Sequence, residues 1–350
     1  MINYVVLQAV RVLGLTMLSF LLAFGLTPLV FRFISSLKFK KNIKPEKDAP
    51  IFHELHKGKA GTPTMGGIVI WLTVLVLAVL IFFFSTIFDG FWGYLNFVNR
   101  AETYLPLAAL FAAAIVGFID DLMGVRKIGP RGGGLKMRHR LAIYSIFSLI
   151  GALWFFYRLD WDLFNIPFVG NFHLGLWYVP VFVFILVASA FSANEADGLD
   201  GLAGGIMLFT FAALTVVAFS LGRFHLAAFS GVIIGALMAF LWFNIYPAKF
   251  FMGDTGSMSL GITIGVIAML TNTPLLLIFF APIFILESSS VIIQVLSKKI
   301  RKKKVFLSAP IHHHFEALGW HETRVTMRFW IITVIFASLG LVVFFLNQMF

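Results

Sequence analysis

The chain has 350 residues, 60% of them hydrophobic and 12% charged, and its mean hydropathy is +0.94. A soluble domain carries about 25% charged residues, so the composition excludes an ordinary globular protein and predicts a polytopic membrane protein. The absence of cysteine excludes disulfides and thiol chemistry. The net charge of +11 does not point to nucleic acid, because the basic residues fall in a few loops.

A transmembrane helix needs about 20 mostly apolar residues. Ten stretches qualify: 12–33, 65–84, 104–119, 141–157, 174–191, 201–222, 225–243, 256–270, 274–296 and 327–346. The first is too long for a signal-peptide core and lacks a small-residue cleavage site, so it reads as a retained helix. Residues 1–350 then form one all-α membrane domain. Between the fourth and fifth spans, residues 162–175 alternate weakly around Val169-Gly170-Asn171, the pattern of a small hairpin lying on the membrane.

Lysine and arginine set the orientation. Lys38, Lys40, Lys41, Lys44, Lys47, Lys57 and Lys59 follow the first span. Arg126, Lys127, Arg131, Lys136, Arg138 and Arg140 follow the third, and Lys298, Lys299, Arg301, Lys302, Lys303, Lys304, Arg324 and Arg328 precede the tenth. The opposite loops hold only Arg100, Arg158 and Arg223. The positive-inside rule places both termini outside and the odd-numbered loops in the cytoplasm. Polar side chains follow the same parity. Asp120-Asp121, the stretch 194–205, Asn244, Asp254 and His312-His313-His314 all fall on the cytoplasmic side, whereas Asp89, Glu102, Asp160 and Asp162 lie outside. This asymmetry predicts one site at the cytoplasmic membrane surface.

Each motif admits a chemical and a plain reading. Asp197 and Asp200 are three apart and would share a face on a helix. Carboxylates at the edge of an apolar helix are costly unless something positive sits on them, which points to a divalent metal and its phosphates; an acidic loop is the plain reading. Asp120-Asp121 close the third span. One can hold a metal or take a proton while the other braces a nearby lysine or arginine, or the pair is simply a solvated helix end, against the helix dipole. Asp254 in Phe251-Met252-Gly253-Asp254-Thr255-Gly256-Ser257 is an N-cap, or part of an amide-rich end that receives phosphate oxygens. Asn244 ends the seventh span, placed to hydrogen-bond a substrate or a metal-bound water. Lys59 offers phosphate a point charge, and Thr64 can cap the second span.

Consecutive His312, His313 and His314 diverge and cannot converge on one tetrahedral zinc. One or two imidazoles touching a phosphate or orienting neighbours fit better. Glu287, inside the ninth span, is a functional candidate, or is neutral or paired with Gln294 or a serine. No Walker A sequence or Gly-rich dinucleotide turn is present. A transporter would put polar residues near the midplane in repeated halves; neither feature is visible.

Five motifs in order strongly resemble the bacterial phospho-MurNAc-pentapeptide transferases (translocase I), within the polyprenyl-phosphate sugar-1-phosphate transferases. They are Gly61-Thr62-Pro63-Thr64-Met65-Gly66-Gly67, Asp120-Asp121, Asn194 with Asp197-Gly198-Leu199-Asp200-Gly201-Leu202, the Phe251–Ser257 stretch, and Ala309-Pro310-Ile311-His312-His313-His314-Phe315. The resemblance covers nearly the whole chain. It implies about ten membrane helices, a cytoplasmic active site, Mg²⁺ and usually a homodimer. It also implies transfer of phospho-MurNAc-pentapeptide from UDP-MurNAc-pentapeptide to undecaprenyl phosphate in the bacterial inner membrane, giving lipid I and UMP for peptidoglycan synthesis. By motif matching Asp254 resembles the Mg²⁺ ligand, and Asp120 the base for the lipid phosphate, with Asp121 beside it. Asp197 and Asn194 resemble nucleoside-pocket residues, and Phe251 the ring that stacks on uracil. Lys59, Thr64, Asn244, Asp200, Gln294 and the histidines His312, His313 and His314 resemble the remaining substrate lining, with His313 the catalytic candidate. The chain departs from the family at Phe191, at Glu195-Ala196 and at Gly124. At Gly124 the family has a lysine, for which Arg126, Lys127 or Lys136 are candidate replacements. Direct attack by the lipid phosphate and a two-step route through a phosphorylated Asp120 or Asp121 are both compatible with the sequence.

Overall fold

The computed structural model describes residues 2–36, 59, 61–88, 90–98, 101–129 and 133–349. Lys38, Lys40, Lys41, Lys44, Lys47, Lys57, Asp89, Arg100 and Arg131 lie outside the described residues. Continuous apolar runs close their backbone hydrogen bonds within the segment, the solution hydrocarbon favours. The helices are α1 (Ile2–Ser36), α2 (Ile68–Ile87), a short α3 (Phe91–Leu95), α4 (Ala101–Val125), α5 (Met137–Arg158), α6 (Tyr178–Glu195), α7 (Leu202–Ser220), α8 (Phe224–Asn244), α9 (Asp254–Leu270), a four-residue α10 (Leu277–Phe280), α11 (Pro282–Ile300), a short α12 (Ile311–Ala317) and α13 (Glu322–Asn347). Between α5 and α6, β1 (Leu163–Ile166) and β2 (Gly170–His173) form the expected antiparallel hairpin.

Eight helices are long and apolar enough to cross a membrane, and a bent pair makes a ninth if counted as one span. The bundle departs from the ten expected spans in three places. The ninth breaks into Pro274–Phe280 and Pro282–Ile300, bent by 92°. Pro282 lacks the N–H that would continue a helix and is suited to start one, and Ala281 leaves the helical region at φ −134°, ψ 51°. The eighth is only 17 residues long, α9, about 26 Å at 1.5 Å per residue. Every residue from Thr255 to Leu270 is buried, so α9 is packed inside protein against α4 and α6 rather than bathed in lipid. Finally, α4 continues past Asp120 and Asp121 to Val125, because both carboxylates have donors and need no helix end to reach them.

The C-terminal ends of α4, α6 and α8 meet the starts of α5, α7, α9 and α13 at one end of the bundle. Lys136, Arg138, Arg140, Arg324 and Arg328 belong to the starts of α5 and α13 or the residues before them, and Lys298 and Lys299 to the last turn of α11. The hairpin, Asn272 and Asn347 gather at the other end.

Candidate active site

The site is built around the start of α9. Residues 63–67 run beside residues 251–252: Phe251 N donates to Pro63 O at 2.9 Å, Gly66 N to Phe251 O at 2.8 Å and Gly67 N to Met252 O at 2.9 Å. Gly253, at φ +75°, turns the chain into α9 in a conformation that favours glycine. A Cβ on Gly117 of α4 would stand 2.4 Å from Asp254 O. The bare glycine lets the two backbones touch and brings the adjacent acids into the site.

Two carboxylates take the amides at this turn. Thr255 N donates to Asp121 Oδ2 at 3.0 Å, and Gly253 N to Asp197 Oδ2 at 3.0 Å. These acceptors satisfy N–H groups that a helix start leaves open. The expectation that these amides receive phosphate, or that Asp254 caps its own helix, is therefore corrected: Gly253 is the N-cap residue, with no side-chain cap. Asp254 instead points its oxygens at two other elements. Asn194 Nδ2 donates to its Oδ1 at 2.5 Å, and Arg140 Nη2 lies 2.6 Å from its Oδ2. Arg140 Nε also lies 2.6 Å from Asp120 Oδ2, while Leu135 N donates to Asp120 Oδ1 at 2.6 Å. Arg140 Nη1 reaches Asn194 Oδ1 at 3.2 Å. Four carboxylates thus meet at the start of α9: Asp120 and Asp254 on the Arg140 guanidinium, Asp121 and Asp197 on the backbone amides of the turn.

Asp197 and Asp200 do not share a helical face; both lie in the turn between α6 and α7 and point to different partners. Asp200 Oδ1 is 2.6 Å from Lys59 Nζ, and its Oδ2 accepts from Ala248 N at 3.0 Å. Lys59 also pairs with Glu322 and stands 5.8 Å from the centre of the Phe251 ring. Asn244 joins two loops, accepting from Gly201 N at 3.1 Å and donating to Phe250 O at 2.8 Å. Thr64 does not cap α2, whose N-cap residue Gly67 has no side-chain cap; it is buried, with its hydroxyl facing Gly253.

The three histidines take three different partners. His312 Nδ1 is 2.9 Å from Glu287 Oε2, His313 Nδ1 is 2.7 Å from Glu316 Oε2, and His314 Nδ1 accepts from Leu307 N at 3.2 Å. Glu287 therefore pairs with His312, not with Gln294 or a serine side chain. Gln294 holds the loop before α12 through Val305 N, Phe306 N and Phe306 O. The His312 ring lies so close to Gly198 that a Cβ there would stand 2.1 Å from Nε2, which links the histidine helix to the turn carrying Asp197 and Asp200.

Sequence reasoning missed Arg140 and Glu322. Arg140 carried a detectable signal: Arg138 and Arg140 lie in or next to the first turn of α5, where cations oppose the helix dipole and call for an anion. Glu322, in the first turn of α13, carried none.

An apolar cavity of about 980 Å³ opens between α5, α6 and the bent α10–α11 pair, lined by Leu141, Val183, Val187, Ile278, Ile285 and Ile292 among others. Leu141 and Ser192 bring it to within two residues of Arg140 and Asn194. Among the described residues no three Asp, Glu, His or Cys side chains are grouped to hold a metal by themselves. Mg²⁺ does not require such a cage, since it is bound through one or two carboxylates plus substrate phosphates, and the carboxylate oxygens of Asp254 with Asp120 or Asp121 are the hard donors it takes.

The comparisons agree with this architecture. Residues 103–272, from α4 through α9 of this bundle of membrane-length helices, match the family model of glycosyl transferase family 4. Residues 59–70, from Lys59 into α2, match phospho-N-acetylmuramoyl-pentapeptide-transferase signature 1. The chain is 38% identical over 325 residues to the phospho-N-acetylmuramoyl-pentapeptide-transferase of Anoxybacillus flavithermus, covering 93% of this chain and 95% of that one. It is 38% identical over 346 residues to the enzyme of that name from Borreliella burgdorferi, with 93% of each covered. The chain belongs to the phospho-N-acetylmuramoyl-pentapeptide-transferase family.

Proposed function

We propose that the protein transfers phospho-MurNAc-pentapeptide from UDP-MurNAc-pentapeptide to undecaprenyl phosphate, producing lipid I and UMP. The observation that carries this reading is the carboxylate cluster at one rim of the bundle, adjoining an apolar cavity. A water-soluble nucleotide sugar and a phosphate on a lipid tail can meet only where water and hydrocarbon adjoin. The polyprenyl tail lies in the cavity between α5, α6 and α11, with its phosphate toward Arg140. The basic loops at the same end support a cytoplasmic site in the bacterial inner membrane, with both termini outside. Family resemblance supports a homodimer.

Asp254, with Asp120 or Asp121, would hold Mg²⁺, which when bound offsets the diphosphate charge and stabilises the departing UMP. Arg140 fixes the relative positions of Asp120, Asp254 and Asn194 and offers its planar donors to the β-phosphoryl oxygens. Phe251 stacks on the uracil, with Lys59 beside the nucleotide. The lipid phosphate oxygen forms the bond to the β-phosphorus as the bond to the bridging oxygen of UMP breaks. Direct attack is favoured over a phosphorylated Asp120 or Asp121, because both Asp120 oxygens are engaged, by Leu135 N and Arg140, and Asp121 Oδ2 by Thr255 N, which blunts them as nucleophiles. The test uses UDP-MurNAc-pentapeptide labelled with ³²P at the β-phosphate. The label should move into the solvent-extractable lipid while UMP leaves unlabelled; label appearing as water-soluble phosphate would reject the transfer.

A further inference from the structure

We propose that the hairpin at residues 163–173 is an interfacial lipid anchor, its apolar face lying in the headgroup–acyl boundary at the end of the bundle opposite the carboxylates. The β1–β2 register pairs Phe164 with Phe172 and Asn165 with Asn171, and directly paired residues share a face. One face therefore carries Phe164, Ile166 and Phe172, and the other carries Leu163, Asn165, Asn171 and His173. A half-buried hairpin normally turns its apolar face to the protein and its polar face to water. Here the asparagine face is the one tied to the bundle. Asn272 Nδ2 donates to Asn171 Oδ1 at 3.2 Å, and Asn347 Nδ2 to Asn165 Oδ1 at 3.4 Å. The same two asparagines accept backbone N–H groups, Asn165 N at 2.9 Å and Phe168 N at 2.6 Å.

Most of the apolar side is left outside: Ile166 and Phe172 are 36% and 43% exposed, with Phe164 half-buried. Phe168 and Val169 at the turn are 58% and 67% exposed, and the surface continues through Leu176 and Trp177, 70% and 75% exposed, onto the lipid-length helix that follows. Residues 163–177 contain no Lys, Arg, Asp or Glu. An uncharged, aromatic-rich surface contiguous with a membrane span matches the interfacial belt where Trp and related rings settle. Asn272 takes the Asn165 N–H on one outer edge, but a two-stranded hairpin has further outward backbone groups that hydrocarbon cannot satisfy. The boundary zone, with its water, accommodates both features. The asparagine contacts couple the anchor to the α9–α10 connection, and through it to the bent pair lining the apolar cavity.

Because the chain has no cysteine, single-cysteine variants can carry a nitroxide without further changes. Phe168→Cys, Val169→Cys and His173→Cys are made in the full-length protein, labelled, and reconstituted in phosphatidylcholine–phosphatidylglycerol vesicles. Collision with oxygen and with water-soluble Ni-EDDA is read by power-saturation EPR. The oxygen-to-nickel accessibility ratio should be several-fold higher at 168 and 169 than at 173, on the opposite face. Equal ratios at all three positions would place the turn in water, and protection of 168 and 169 from both reagents would mean a protein partner; either result overturns the anchor. Two independent turn positions guard against one variant failing to fold.

Discussion

Asp121 of α4 accepts the backbone N–H of Thr255 at the start of α9, at 3.0 Å. An acid of the conspicuous pair thus serves as a helix cap supplied from another helix, while its neighbour Asp120 faces Arg140. Asp121 and the metal-ligand candidate Asp254 are predicted to separate in a stability measurement. Asp121→Ala should lower the melting temperature in detergent, reflecting a loss of about 1 kcal/mol for the cap. Asp254→Ala removes a carboxylate from a crowded anionic site and should leave the melting temperature unchanged or raised. The reverse order would reject this division of roles.

Arg140 is the only cation bonded to both Asp120 and Asp254 among the described contacts. Arg140→Met should reduce turnover by about a hundredfold, near 2.7 kcal/mol, as expected for one partner lost from a largely desolvated ion cluster. Arg140→Lys keeps the charge but not the planar fork and should recover part of the rate. Equal activity for Met and Lys variants would show that Arg140 only fills space.

Gly117 sets the spacing between α4 and α9. A Cβ there would meet the Asp254 carbonyl at 2.4 Å, and backbone cannot swing aside. Gly117→Ala should therefore displace the acids by a fraction of an ångström or more and cost about a hundredfold in rate, with the helical circular dichroism signal preserved. Full activity would mean that the two helices are less closely seated than 2.4 Å implies.

Glu287 holds the His312 ring, Oε2 to Nδ1 at 2.9 Å. Glu287→Gln keeps the side-chain oxygen as an acceptor for His312 and should lower kcat by only a few-fold. Glu287→Leu removes the acceptor and should lower kcat by about tenfold, near 1.4 kcal/mol for one hydrogen bond to a charged or polar group, with KM little changed. A large rise in KM without a fall in kcat would move Glu287 into the binding surface.

The membrane-length helices were readable because length and apolarity alone decide them, and the hairpin because alternation around Val169-Gly170-Asn171 is a local signal. The burial of α9 was not readable, since an apolar helix facing lipid and one facing protein have the same composition. The break before Pro282 was marked by the proline, but an apolar run on both sides masked it. In the site, acids stand out in an apolar chain, so Asp120, Asp121, Asp197 and Asp254 could be named. What each carboxylate holds depends on pairings far apart in the chain, such as Arg140 with Asp254 or Glu287 with His312, and no spacing rule encodes those. Arg140 was also hidden among the basic residues that report orientation.

The most direct test of the central claim is UMP release by the purified full-length protein from UDP-MurNAc-pentapeptide. It is measured with and without undecaprenyl phosphate, with Mg²⁺ or with EDTA, for the wild type and Asp254→Asn. The account predicts UMP only when lipid phosphate and Mg²⁺ are both present, and almost none from a well-folded Asp254→Asn protein. UMP release that persists in EDTA, or at near-normal rate in Asp254→Asn, would contradict it.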